Sequence, residues 1–369
     1  MKKITFLSKL FFIFNLVVAL LLFGSYAAPF VNPSSFSPIA FLGLAFPYLF
    51  IANVIFLVYW LVRSKVYLLL SLSALVFSYS TIPNYIQFNS NSTEVFDDEI
   101  KVLSFNVRVF DLYMWSNEKT TRNKIFDLIH QEQPDVLCLQ EFYQADTIVN
   151  NYDFKTLDTL TQFLKANNYH VEYTTTLREV NHWGIITFSK YPIVGKGIVP
   201  FALKDDNICI YTDIQKGDQT IRVYNAHLAS IKLDKHDYKA MQKINHNEYS
   251  DNFDNELMMI EKIRYGFVRR SFQADSIQKS IANSPYPVIL CGDFNDTPSS
   301  YAYHTILGDL KDAFVESGSG LGRTYIGEFP SYRIDYIFYD SQFESISYQT
   351  HPEKLSDHHP ISARIRIKE

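Results

Sequence analysis

Residues 1–94 carry only six charged side chains: Lys2, Lys3, Lys9, Arg63, Lys65 and Glu94. So little charge over so long a run removes most water-soluble folds, whose surfaces are built largely from charged and polar side chains. Three apolar stretches fill the segment, roughly Leu7–Ala28, Ile39–Val62 and Val66–Tyr85. The first two are long enough to cross ~30 Å of hydrocarbon as helices, and the third just reaches. Buried core helices are the alternative, and nearly ninety residues with so little charge argue against them. The expectation is an all-α membrane anchor of three transmembrane helices over residues 1–90, with the lipid bilayer as its partner.

The basic residues set an orientation. Lys2, Lys3 and Lys9 precede the first stretch, and Arg63 and Lys65 separate the second from the third, whereas Pro29–Pro38 has no charge. The positive-inside rule places the N-terminus and the Arg63–Lys65 turn in the cytoplasm. A multi-pass inner- or plasma-membrane protein follows, with residue 90 onward on the non-cytoplasmic side. The sequence GSYAAPF near residue 27 also fits a signal-peptide cleavage site, which would remove the first span and leave the outward placement unchanged. The stretch 84–99 is polar and aperiodic and reads as a juxtamembrane linker, taken as residues 91–99 between the anchor and a domain over 100–369.

Five of the 34 basic and one of the 39 acidic side chains fall in residues 1–94, which leaves 29 basic and 38 acidic residues, a formal −9, for 95–369. That balance lacks the global footprint of a non-specific nucleic-acid binder. Cys138, Cys209 and Cys291 each sit in an apolar run and read as small buried hydrophobes, without zinc-type spacing or a disulfide framework.

The larger part alternates strand and helix patterns. Strands are expected at 100–107, 135–141, 184–189, 207–214, 221–228, 286–292 and 333–339. RNKIFDLIHQEQ (122–133) has Ile125, Leu128 and Ile129 at helical spacing and is stopped by Pro134. ISARIRIKE (361–369) alternates Ile361, Ala363, Ile365 and Ile367 with polar residues, the pattern of a half-buried strand. Residues 256–282 read as helix and about 231–255 as a loop or lid.

The strands end in chemistry. Asn106 follows VLSF, Glu141 follows VLCLQ, His227 follows VYNA, and Asp293 and Asn295 follow VILCG; Asp335 lies in RIDYIF, and Asp357 and His358 precede the last strand. Taken singly, Asn106 fits a turn cap, His227 a satisfied core histidine, and Asp293–Asp296 an Asx-rich turn. Together they read as one site, because strand termini of one sheet share an edge.

SFNVR, LCLQE, NAHL, GDFN, RIDYIF and SDHHP, in this order over about residues 100–367, resemble the motif series of the endonuclease/exonuclease/phosphatase superfamily. The resemblance implies a four-layered α/β sandwich of two packed mixed sheets with the site at one edge. It implies a Mg²⁺-dependent phosphoric ester hydrolase, with Mn²⁺ or Ca²⁺ as substitutes. By the same carry-over Glu141 binds the metal, and Asn106 and Asp357 complete or orient that shell. Asp293 activates the attacking water, Asn295 holds it or a phosphate oxygen, His358 donates to the phosphoryl group, Asp335 fixes the His358 tautomer, and His227 is the general-acid candidate. Asp296 is assigned to the turn before Pro298.

Arg108 and His182 are candidate substrate contacts, with Trp183 beside the latter. Arg269–Arg270 read as a solvated face or as phosphate ligands. Tyr113, Met114 and Trp115 form either an apolar rim or packing under a loop, and His359 reads as structural. The substrate expected is a phospholipid or other small phosphoester rather than nucleic acid, and no protein partner is expected. An extracytoplasmic nuclease is the second reading, and an inactive binding module on the same fold the third.

Overall fold

Why the chain builds two sheets is visible in its alternation. In IKVLSFN, Ile100 and Val102 face one way and Leu103 and Phe105 the other, and both faces are buried. Strands apolar on both faces need a covering layer on each side. The computed structural model describes residues 6–90, 94, 96–148, 154–164, 168–202, 207–231, 253–327, 330 and 332–368. The expected loop or lid over 231–255 falls mostly outside them.

Three apolar helices come first: α1 (Phe6–Ser25), α2 (Pro38–Arg63) and α3 (Lys65–Phe77). There follow strands β1 (Ile86–Phe88) and β2 (Ile100–Asn106), helix α4 (Thr121–Glu132), β3 (Val136–Ala145) and α5 (Thr156–Leu164). Next are β4 (Asn168–Leu177), β5 (Asn181–Ser189), β6 (Ile193–Ile198), β7 (Ile208–Lys216), β8 (Gln219–His227) and the long helix α6 (Phe253–Ala282). The chain ends with β9 (Val288–Asp293), α7 (Tyr301–Leu307), β10 (Lys311–Asp312), α8 (Ala313–Ser317), β11 (Ser319–Leu321), β12 (Asp335–Tyr339), β13 (Phe343–Thr350) and β14 (Ile361–Ile367).

One six-stranded sheet has the order β13-β14-β2-β3-β5-β4, the other β10-β12-β9-β8-β7-β6. Each is antiparallel except for one central parallel pair, β2 with β3 and β8 with β9. Between the sheets lie Val102, Val136, Cys138, Val223, Ile289, Cys291 and Ile337. Outside the first sheet, Ile125, Ile129 and Leu160 of α4 and α5 cover Phe105, Leu139 and Phe188. Outside the second, Ala274, Ile277 and Tyr303 of α6 and α7 cover Tyr224, Leu290 and Phe338. The result is a mixed α/β fold of four layers around two packed mixed sheets. Each fully buried Ile or Leu in it contributes about 1.5–3 kcal/mol. Helix α4 stops where Gln133 turns left-handed (φ 46°) and its amide donates to Ile129 O, just before Pro134. The three cysteines are free and buried.

The apolar helices form a bundle. Asn15 joins all three: its amide donates to Ser71 Oγ at 2.8 Å and its oxygen accepts from Trp60 Nε1 at 2.9 Å. Two of the helices, not the expected three, have spanning length. Helix α3 has 13 residues, about 20 Å of rise, because Pro83 disfavours α geometry before it and the chain passes through 3-10 turns at Ser78–Ser80 and Ile82–Asn84. Stacking of Phe12 on Tyr67 and the edge contact of Phe23 with Phe77 show α3 running alongside α1 in the same direction.

The stretch read as a linker contains structure. Strand β1 pairs antiparallel with β11, Tyr85 Oη donates to Ser299 Oγ at 2.8 Å, and Arg333 Nε donates to Asn84 O at 3.0 Å. Helix α2 meets the sandwich directly: a Cβ on Gly43 would lie 2.4 Å from Ser299 O.

Candidate functional site

The parallel pairs aim the chemistry. In β9, Ile289 and Cys291 face the gap between the sheets, so Asp293 faces it too. In β2, Ile100 and Val102 set the same face, and Asn106 follows them. His227 is level with Asp293 across the parallel β8–β9 register, and Asp335 sits opposite Asp293 at the start of antiparallel β12. Strand β14 runs antiparallel to β2, so Asp357 and His358, just before it, reach the same edge. Glu141 breaks the alternation. The β3–β5 register shifts between Leu139 and Phe142, and Glu141 adopts φ 50°. This bulge turns its carboxylate to the gap rather than to the helix layer.

Asn106 is the hub. Its Nδ2 donates to Asp293 Oδ2 at 2.9 Å and to Glu141 Oε1 at 3.3 Å, and its Oδ1 accepts from the Arg108 amide. Asp293 Oδ1 accepts from the Asn295 amide at 2.8 Å, with Asn295 at φ 52° and its side chain donating to Leu228 O at 3.0 Å. His358 Nδ1 lies 2.9 Å from Asp335 Oδ2 and its Nε2 lies 3.6 Å from Asp293 Oδ2. His227 Nε2 lies 3.7 Å from Asp293 and 3.9 Å from Glu141. Arg108 Nε is 3.4 Å from Asp357 Oδ2, and its guanidinium lies over Trp115.

Burial dominates the electrostatics. Asp293 is 1% exposed, and loss of hydration raises its carboxyl to about 6, against the opposing pull of the His358 and His227 charges. Burial disfavours a charged His358, but Asp335 and Asp293 outweigh it and hold the ring protonated, well above its usual range. Partial burial and then the Asp357 charge push Glu141 up.

Asp293, Asp335 and His358 place their ligand atoms within 4.8 Å of one another. That trio is knit by an imidazolium–carboxylate hydrogen bond, and a positive ring repels a cation. Glu141 and Asp357 fit one better. They are oxygen donors lining the same cleft, and the Asp357 charge helps push the Glu141 carboxyl up, which a bound cation would relieve. In this geometry Asn106 orients the carboxylates through its nitrogen.

Two readings change. His182 is not brought to the cluster: its ring bonds Thr176 Oγ1 and Asp146 Oδ2, while the adjacent Trp183 lines a recess with Glu141 and His227. Neighbouring residues on a strand point to opposite faces, and the inward one is Trp183. Arg270 is not on a solvated face. It is 1% exposed, its Nε donates to Asp296 Oδ2 at 2.9 Å and Nη1 to Ala229 O at 2.8 Å. Its place on the stripe Ile263, Phe267, Arg270, Ala274, Ile277 was the signal for burial. Asp296 both serves its turn, accepting from the Thr297 amide, and holds Arg270. Of the two readings left open for Tyr113, Met114 and Trp115, packing under a loop does not hold, since all three are exposed. His359 Nδ1 meets Glu353 O in the neighbouring loop, in keeping with a structural place.

Sequence reasoning missed the layer beneath the site. Gln140 Nε2 donates to Asn225 Oδ1 at 2.7 Å, and Asn225 Nδ2 to Ile186 O at 2.8 Å, which ties the two sheets together. Thr324 Oγ1 accepts from the Ile334 and Asp335 amides and fixes the start of β12. It also missed Leu44 of α2 in the cleft wall.

A family model described as the endonuclease/exonuclease/phosphatase family matches residues 103–358, and one described as a domain of unknown function matches 8–85. No curated protein matches the chain. Similar solved structures include an endonuclease/exonuclease/phosphatase family protein from Leptotrichia buccalis (18% identity, TM-score 0.51, 73% of this chain and 100% of that one). The human Nocturnin catalytic domain with bound sulfate is also similar (17%, 0.53, 75% and 96%), as is a family protein from Bacteroides thetaiotaomicron (17%, 0.52, 73% and 98%). At these identities the structures speak for the fold, and the matched 256-residue span, with its strand-end site, places this chain in the endonuclease/exonuclease/phosphatase family.

Proposed function

We propose that this chain is a membrane-anchored, Mg²⁺-dependent phosphoester hydrolase whose catalytic layers lie on the non-cytoplasmic side. Members of the family are generally phosphoester hydrolases that use divalent metals. The observation that carries the reading is the meeting of Asn106, Glu141, His227, Asp293, Asp335 and His358 at one sheet edge, joined by the contacts above. Glu141 and Asp357 would hold Mg²⁺, which when bound neutralises charge on the phosphoryl oxygens. Mn²⁺ has the same preference for oxygen donors.

Asp293 accepts the proton of the attacking water, and Asn106 and Asn295 fix the direction of its lone pairs. The new bond forms between that water oxygen and phosphorus while the phosphorus–leaving-oxygen bond breaks. His358, held by Asp335, donates from Nε2 to the charge that builds on the phosphoryl group. His227 supplies the proton to the departing oxygen. Arg108, beside Asp357, contacts the substrate phosphate from the rim.

The bundle supports the orientation. The catalytic layers pack at the Ala28–Leu44 and Tyr85 end, opposite Arg63 and Lys65. Acidity over 95–369 counts against the nuclease reading.

The test is hydrolysis by the full chain in detergent, with Mg²⁺ and with chelator. The panel holds a phosphatidylinositol phosphate, sphingomyelin, a generic phosphate diester and duplex DNA. Chelator-sensitive turnover of an ester that DNA does not share is expected. Preference for DNA would favour the nuclease, and no turnover on any member would contradict the enzyme.

A further inference from the structure

The cleft that holds the site, about 310 Å³, has two unlike ends. One is Glu141, Asp293, Asn295, Asp357 and His358. The other is Leu44, Ile231, Phe267, Pro330, Tyr332 and Ile334. The apolar end is closed by α2, an apolar helix of spanning length. The Phe41 and Phe267 rings meet edge to face at 5.3 Å, Ala40 and Leu44 pack with Ile263 and Phe267, and Tyr332 Oη donates to Leu44 O at 3.2 Å.

Leu44 heads a stripe. Below it on α2 come Tyr48, Ile51, Ile55, Val58 and Val62, alternately four and three residues apart, all 54–79% exposed. That spacing keeps them on one helix face. The face is therefore continuous from the bare apolar surface of α2 to the wall of the catalytic cleft. Leu257, Met258 and Ile260 are exposed on the same turns of α6 as Met259 and Ile263, which pack in this contact. A nucleic acid would need several cations here; Arg270, the cleft's lining arginine among the described residues, is paired with Asp296, and His358 is held by Asp335.

We propose that this face of α2 is a track for one hydrocarbon chain of a membrane phospholipid, which enters the cleft sideways from the leaflet and brings its phosphate to Asp293 and His358. A chain reaching the midplane of ~30 Å of hydrocarbon extends about 15 Å, some ten residues of helix, and lies against Leu44, Tyr48, Ile51 and Ile55. The anchor is then part of the substrate site as well as a tether. This inference rests on the phosphoester-hydrolase reading above.

The experiment uses the full chain in uncharged maltoside micelles with Mg²⁺ and two matched ester pairs: hexadecyl against methyl p-nitrophenyl phosphate, and hexadecyl against butyl phosphate. The long ester of the cleaved pair is expected to have the higher kcat/KM. Leu44→Trp, which fills the track, lowers the long-to-short ratio about tenfold, what two buried methylene groups are worth. Ile51→Asn, outside the cleft and two turns away, lowers the ratio as well and guards against a general effect of the Trp on the cleft. Equal rates on long and short esters, or a ratio unmoved by both variants, overturns the track and leaves the hydrolase standing. No cleavage of either pair by protein that turns over a member of the panel above overturns the track alone; no turnover of the pairs or the panel overturns the hydrolase reading with it.

Discussion

Asp293 owes its place to Gly292. The glycine has φ 153°, and a Cβ there would lie 2.0 Å from Ala226 O on the parallel neighbour β8. Gly292→Ala should therefore separate β8 from β9 and move both Asp293 and His227. The expected loss is about 3 kcal/mol or more, read as a lowered unfolding midpoint, together with loss of turnover. Unchanged stability would mean that the two strands are not held as described. Arg270 gives a second test at this scale. Arg270→Met leaves Asp296 buried without its partner, where burial already raises its carboxyl. Breaking such a pair typically costs about 3–5 kcal/mol. A midpoint within a degree of wild type would show that Asp296 finds another partner. Singly the site residues were ambiguous; they became legible together, because several apolar runs ended in polar groups that neighbouring strand ends bring to one edge. What hid Arg270 was charge itself, which suggested a wet surface where the helix stripe demanded a buried one.

Among the elements, those with strong apolar alternation, β2, β3, β8, β9, β12 and β14, were readable from the chain. The edge strands were not. NYHVEYTTTL of β4 and FESISYQT of β13 are mostly half-buried on both faces and carry no clean apolar alternation. Helix α3 was over-read, since its apolar run continues past Phe77 but Pro83 and the serines divert the backbone. Helix α1 raises a separate question, because its end resembles a cleavage site. In the structure it is a full member of the bundle, with Asn15 bonded to both Trp60 and Ser71. Intact mass of the purified protein should show residues 1–27 retained. A mass beginning near Pro29 would mean that α2 and α3 stand without it.

At the scale of the molecule, the apolar helices and the sandwich meet over specific contacts rather than through a free tether. Gly43 allows α2 to touch Ser299 O, and Tyr85, Asn84 and β1 fasten the next segment. Gly43→Leu should force α2 off the loop that follows Asp293. Faster protease cutting within residues 84–99 and lower turnover are the expected readouts; a wild-type digestion rate would show that the contact does not hold the two parts together. None of this docking was legible in the sequence, where polarity alone suggested a linker. Contacts made by single glycines, tyrosines and backbone oxygens leave no periodic trace.

The central claim is that Asp293 activates water at a metal-assisted hydrolytic site. It is tested most directly by turnover in ¹⁸O-labelled water with Mg²⁺, using the full chain and its Asp293→Asn variant on the ester that wild type cleaves. One ¹⁸O in the phosphoryl product is predicted, with a rate about 10²–10⁴-fold lower in the variant and little change in unfolding midpoint. Label in the alcohol, or equal rates in the two proteins, would contradict it.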